Sequence, residues 1–207
     1  MDKLKDIFEK YEQLAVQAEE SFNNMQQSYG DCVKCEVQCS DCCNAVFGLF
    51  PIESAYLNNR FNELDQQAQK EIAGRVKEFE KNLAEMQEKI RECGDDAEKI
   101  NEIMAMQRIR CPLLNDQQKC SIYAHRPITC RVYGIPTVIN GKPHACWKAG
   151  FEKGKAYPAF NLDSLYKELF ELSKSLLEES GEADLTKAGL LVSMAKAITT
   201  PREESLK

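Results

Sequence analysis

The sequence predicts a mainly α-helical fold, with a long helical hairpin and C-terminal helices around a cysteine-rich, irregular metal core carrying short β-strands. Two observations predict it. Apolar residues recur at helical spacing on both sides of the middle of the chain, and between those runs the period gives way to cysteines, prolines and glycines. A third observation sets the theme: ten cysteines lie among 207 residues, yet 43% hydrophobic residues suffice to build a core without them. The cysteines need an account other than small size.

One domain is expected over residues 1–207, read in order as follows. Leu4, Phe8, Tyr11, Ala15, Ala18, Phe22 and Met25 alternate steps of four and three, a stripe that predicts an N-terminal helix over 1–29, ended by Gly30. The first cysteine cluster occupies 32–50. Leu57, Phe61, Leu64, Ala68, Ile72, Val76, Phe79, Leu83, Met86 and Ile90 predict one long helix over 53–92, ended at Cys93-Gly94. At about 1.5 Å per residue it would run on the order of 50 Å, so it is expected to pack along another helix, the first being the natural partner. A shorter helix is expected over 96–108.

The second cysteine cluster spans 111–150, where Pro112, Pro127, Pro136, Pro143, Gly134 and Gly141 impose turns. Residues 131–139 followed by Asn140-Gly141 resemble a hairpin arm with its turn. C-terminal helices are expected over 161–200. Leu162, Leu165, Leu169, Leu172 and Leu176 mark the first, with Asn161 or Asp163 as its cap and Gly181 at its end; the second covers 184–198, before Pro201.

The formal charge is -6, which argues against a general nucleic-acid binder. It is unevenly spread. In 111–150, Lys119, Arg126, Arg131, Lys142 and Lys148 oppose Asp116 alone, so this segment carries +4 and the remainder -10. No stretch approaches the roughly 18 apolar residues of a membrane span. The charged N-terminus lacks the apolar run of a secretory signal, so a cytoplasmic location is expected. In that compartment stable disulfides are uncommon, and clustered cysteines indicate metal or redox chemistry.

The first cluster reads Cys32-x2-Cys35-x3-Cys39-x2-Cys42-Cys43. Such spacings let thiolates converge on one ion or cluster without first ordering a long loop. Ser40 or Asp41 is expected to cap a helix entering 44–47. That would put Cys42 and Cys43 in its first turn, where unpaired N–H groups favour thiolate. The second cluster reads C-P-L-L-N-D-Q-Q-K-C-S-I-Y-A-H-R-P-I-T-C-R, giving Cys111, Cys120 and Cys130, with Cys146 beyond. Arg126 and Arg131 flank Cys130. Their guanidinium groups suit hydrogen bonding to thiolate sulfur and are read as cofactor-binding. Pro127 restricts Arg126 and so shapes the approach to Cys130.

The CxxCxxCC-like run followed by C-P-x-L, C-x-I-Y and R-P-x-x-C-R resembles the bacterial cysteine-cluster family of zinc- or iron-chelating proteins, the YkgJ type. It also resembles a module in flagellin lysine N-methylases. The resemblance covers roughly 32–146, interrupted by the long helix. It implies Cys39, Cys42, Cys43, Cys111, Cys120 and Cys130 as the family-type positions. One departure stands out: three residues separate Cys35 from Cys39 where the family has two, and Glu36 occupies the expected slot. Cys35 is taken as the further ligand, with Cys32 as its rival and Cys146 open between ligand and structural residue. Cys93 reads as an ordinary thiol, and His125 and His144 as solvated histidines.

Three functions follow. The first is a [4Fe–4S] protein for electron transfer, sensing or delivery, motivated by the all-thiolate supply and basic surroundings. The second is a zinc module stapling the irregular centre and meeting a partner protein. The third, suggested only by the relatives, is part of a lysine-methylating enzyme system. Cys35-x3-Cys39-x2-Cys42 has radical-enzyme spacing, but the chain is too short and too helical for a β/α barrel and shows no glycine-rich nucleotide loop.

Overall fold

The structure is a computed structural model in which residues 2–36, 39–201 and Glu204 are described. It is mainly α-helical with a small sheet, as the apolar periods predict. Helix α1 spans Asp2–Tyr29 and buries Ile7, Tyr11, Leu14, Ala15, Ala18 and Met25. Gly30 and the cysteine run follow its end.

The run expected as one helix over 53–92 is two. Helix α2, Pro51–Asn62, begins with proline at its first position, where no N–H is lost. Helix α3, Gln66–Glu92, restarts at Asp65, whose carboxylate accepts the Ala68 N–H at 2.9 Å. The apolar stripe runs through the break because Leu57, Phe61 and Ile72 face one common cluster. Nor does α3 lie along α1; it packs on α4, Ala97–Met106, and on α7, Met194–Thr199. Gly94, at φ +56°, follows the α3 terminus where it was expected.

Helix α2 is buried nearly all round, because it separates two hydrophobic clusters. Ile52, Ala55 and Tyr56 join the cluster of α1, α5 (Ile128–Val132) and α6 (Leu162–Glu179). Leu57 and Phe61 join the cluster of α3, α7, Ile109, Leu113 and Ile122. Buried polar groups tie the layers. Ser173 accepts the Ile52 N–H at 3.2 Å, and the Asn58 amide donates to the carbonyls of Ala197 (2.9 Å) and Thr200 (2.8 Å).

Only part of the predicted hairpin arm is extended, since residues 131 and 132 belong to α5. Strand β1, Thr137–Ile139, pairs antiparallel with β2, Lys142–His144, and parallel with β3, Phe160–Asn161. The turn uses Asn140 (φ 52°) and Gly141 (φ 68°), both left-handed as a tight hairpin requires. Asp163 accepts both of their N–H groups, at 2.7 and 3.1 Å, while Asn161 caps α6.

The helix expected over 184–198 is also interrupted. A 3-10 turn at Leu185–Gly189 leads to a two-way bridge between Leu49 and Val192 (2.8 and 2.9 Å), after which Ser193 caps α7. Among the described residues no helix is long and apolar enough to cross a membrane.

Candidate metal centre

Four segments carry every cysteine except Cys93, and they reach both hydrophobic clusters. Cys35 packs against one cluster, and Cys111 and Cys120 against the other. The first segment leaves α1 through Cys32, whose N–H reaches the Tyr29 carbonyl at 2.8 Å. It ends in a 3-10 turn, Cys42–Asn44. The expected capped helix into 44–47 does not form. Asp41 occupies the cap position without capping, because its carboxylate is engaged elsewhere.

The second segment is sewn onto that turn. Ile109 donates to the Asn44 carbonyl at 3.0 Å, and Cys111 donates to the Cys43 carbonyl at 2.7 Å. Residues 113–121 then double back through the Leu114–Cys120 bridge, with Gln118 at φ 59° in the turn. The Asn115 side chain accepts the N–H groups of Gln117 (3.0 Å) and Lys119 (2.9 Å), which closes the loop and brings Cys120 back beside Cys111. The third segment is α5, carrying Cys130 one turn in, with its N–H on the Pro127 carbonyl at 3.0 Å. The fourth contains Cys146 and is tied to the first by Gly150 N–H to Cys32 carbonyl at 2.8 Å.

All ten cysteines are free thiols and partly buried. Burial pushes Cys35 and Cys111 up to about 12 and raises Cys120, Cys130 and Cys146. Neighbouring cysteines add to the rise at Cys35, Cys111, Cys120 and Cys130, and Asp41 adds to it at Cys146. Cys130 feels Cys42, Cys111 and Cys120. Cys35 feels Cys39, Cys146 and Cys42. Cys42 is lowered to about 7, first because the Cys43 thiol donates to it, with the Arg126 guanidinium assisting against burial. Cys43 is correspondingly raised. As placed, no three of the described histidine, cysteine, aspartate or glutamate side chains form a ready-made donor set around one point.

The flanking arginines play different parts. Arg131 directs its donors to Glu19 (3.0 Å) and to the backbone carbonyls of Arg126 (3.1 Å) and Ala124 (2.6 Å). Arg126 meets Glu19 at 3.3 Å and lies over the Tyr123 ring at 4.1 Å. Its Nε is buried and has no hydrogen-bond partner among the described residues. His125 is held by the Tyr56 hydroxyl through Nδ1 at 3.1 Å, and His144 is exposed on β2. Cys93 donates to the Lys89 carbonyl at 3.2 Å at the end of α3, apart from the other thiols.

Three residues take parts in the site that the sequence did not point to. Asp41, 6% exposed, accepts from Arg108 (2.6 Å), Trp147 Nε1 (3.3 Å) and the Cys146 thiol (3.5 Å), with Lys148 at 3.4 Å. It thereby docks the Cys146 segment beside Cys42. Gly134 is the floor under Cys35, because a Cβ there would lie 2.0 Å from the Cys35 Sγ. Glu19 gathers both arginines from α1. An acid next to a cysteine pair, a glycine in a turn and a glutamate on a helix's polar face carry no distinguishing local pattern.

The profile of the CxxCxxCC family, described as a putative zinc- or iron-chelating domain, matches residues 31–147, more than half of the chain. The chain belongs to this family. Neither the curated proteins nor the solved structures give a match. The chelating character of the CxxCxxCC family supports metal binding here, and the chemistry of the donors fits it. Thiols supplied by both cysteine stretches, beside an unpartnered buried guanidinium N–H, suit a centre that is negatively charged once thiolates bind a metal. Zinc and iron are equally served by such donors.

Proposed function

We propose that the chain holds an iron–sulfur centre of the [4Fe–4S] type and serves in electron transfer, sensing or delivery to a protein partner in the cytoplasm. What supports this reading is that Cys42, Cys43, Cys111, Cys120 and Cys130, from separate segments, influence one another's ionisation, and that a backbone hydrogen bond joins Cys111 to Cys43. Cys35 and Cys39 stand at the edge of the same group, and Cys146 beside them. Five neighbouring thiols exceed the four that one tetrahedral zinc or one [4Fe–4S] cluster takes, and their all-sulfur character suits a cluster with alternative ligands at its rim. When bound, such a cluster supplies one-electron storage. The chain supplies the thiolates, the hydrophobic walls that limit water, and the cationic Arg126 that offsets anionic charge.

A structural zinc site is the second reading, favoured by thiols that pack against both hydrophobic clusters. A closed zinc site would add a further tie between the two hydrophobic clusters that α2 already joins. Iron, zinc and acid-labile sulfide analysis of anaerobically purified protein, with a visible spectrum, separates the two. Near-equal iron and sulfide with a broad visible band is the expected result. Stoichiometric zinc without sulfide overturns the cluster reading and leaves the zinc module.

A further inference from the structure

Among the described residues, Arg126 is an arginine of the site that keeps a buried donor without a partner. Its Nη2 is taken by Glu19, and its charged plane rests on the Tyr123 ring. The Nε–H remains, buried and without a partner among the described residues. A buried donor left without a partner is costly, so its retention calls for an acceptor. The positive charge of Arg126 favours the thiolate form of Cys35, Cys42, Cys120 and Cys130, cysteines of both stretches.

What holds Arg126 in this position comes from outside the family region. Glu19 lies on α1, before residue 31 where the CxxCxxCC match begins. Its carboxylate engages Arg126 and Arg131 together, and Arg131 in turn grips the Arg126 and Ala124 carbonyls. Glu19 thus holds Nη2 of Arg126, while the buried Nε–H has no partner among the described residues. Glu19 also partly neutralises the two cations, so it sets how much positive charge the centre feels.

We propose that Glu19 and Arg126 form a charge-setting pair for the thiolate centre, in which Arg126 Nε donates to a metal-bound thiolate and Glu19 is the positioning residue. The N-terminal helix is therefore part of the site rather than an appendage. The inference rests on the metal reading but holds for either metal, because four thiolates on zinc and on a [4Fe–4S] cluster both leave net negative charge.

The test begins with metal and sulfide analysis of the wild-type full chain. Absence of both iron and zinc defeats the metal reading itself, before any variant is compared. With a cluster present, the midpoint potential of Arg126→Gln should fall, since the more negative reduced state loses its neighbouring cation. Glu19→Gln should raise it, because a carboxylate is removed while an acceptor oxygen stays. With zinc present, Arg126→Gln should release metal to a chelator about ten- to a hundredfold faster, the usual cost of losing an outer partner. Glu19→Gln should release it no faster than wild type. Arg126→Lys covers the case in which the glutamine variant fails to fold. It keeps the charge without the Nε–H and should fall between wild type and glutamine. Unchanged values in the arginine variants, or shifts of the same sign in Arg126→Gln and Glu19→Gln, overturn the proposal.

Discussion

Cys35 and Gly134 touch so closely that each dictates the other. A methyl group at 134 would meet the Cys35 Sγ at 2.0 Å and the Cys35 Cβ at 3.3 Å. Gly134→Ala is expected to displace Cys35 and destabilise by about 1–3 kcal/mol, the usual cost of overpacking. Combining it with Cys35→Ala should recover much of that loss, a non-additivity that denaturant titrations of the two single variants and the double variant will read. Glu53 presents a different constraint. It is 3% exposed and accepts N–H groups from Phe50 (3.3 Å) and Ile128 (3.2 Å), joining the starts of α2 and α5. Burial pushes its carboxyl up to about 7, the two N–H bonds opposing. A raised carboxyl binds its proton more tightly in the native state than in the unfolded chain. Its contribution is therefore complete below the ordinary carboxylate pKa and is lost as pH rises through about 7. Glu53→Gln should flatten stability against pH in that window, in unfolding titrations from about pH 4 to pH 8. It should also lower stability overall, because an amide offers one acceptor oxygen where the carboxyl offers two.

At the scale of elements, the sequence reading succeeded where one apolar face meets one cluster and erred where a segment meets two. Helices α1, α4 and α6 lie close to where their periods put them. The α2–α3 break was hidden because Leu57, Phe61, Ile72 and Val76 stay in phase across it. The local sign was present in Asp65, a capping residue inside an apparently continuous stripe. Asp65→Ala should cost about 1 kcal/mol and loosen the first turn of α3, seen as faster amide exchange from Ala68 onward. The interruption between Gly189 and Ser193 has a tertiary origin. Leu191 packs its Cβ within 2.6 Å of where a Gly48 side chain would begin, while Val192 pairs with Leu49. Residues 131–132 read as strand by composition but close a helical turn that carries Cys130 inward. The spacing R-P-x-x-C-R thus encodes a short helix started by Pro127, not a hairpin arm.

Across the whole molecule, α2 is shared by both hydrophobic clusters and the cysteine segments reach both. Metal removal should therefore weaken the joint between the clusters more than either cluster itself. Chelation is expected to lower the melting temperature and to increase amide exchange in residues 109–122 and 128–135 first, with α1 and α6 retaining helical circular dichroism. Restoring the metal should return the stability in proportion to its concentration over its dissociation constant. If chelation leaves exchange in both segments untouched, the centre does not join the clusters.

The sequence by itself determined the helical class, the two cysteine stretches, the C-x-I-Y-x-x-R-P-x-x-C-R spacing that carries the CxxCxxCC family, and the absence of a long apolar span among its runs. These are local properties, written in periods and spacings of a few residues. Tertiary structure decided which thiols meet, and it enlisted Asp41, Gly134 and Glu19, which no spacing marks. It also parted the arginines, which share Glu19: Arg131 turns its other donors to the backbone, while Arg126 keeps a buried donor without a partner among the described residues. The physical reason is that burial, charge pairing and close contact depend on segments far apart along the chain, as Glu19 and Arg131 are, and a chain read along its length does not show which of its distant parts exclude water together.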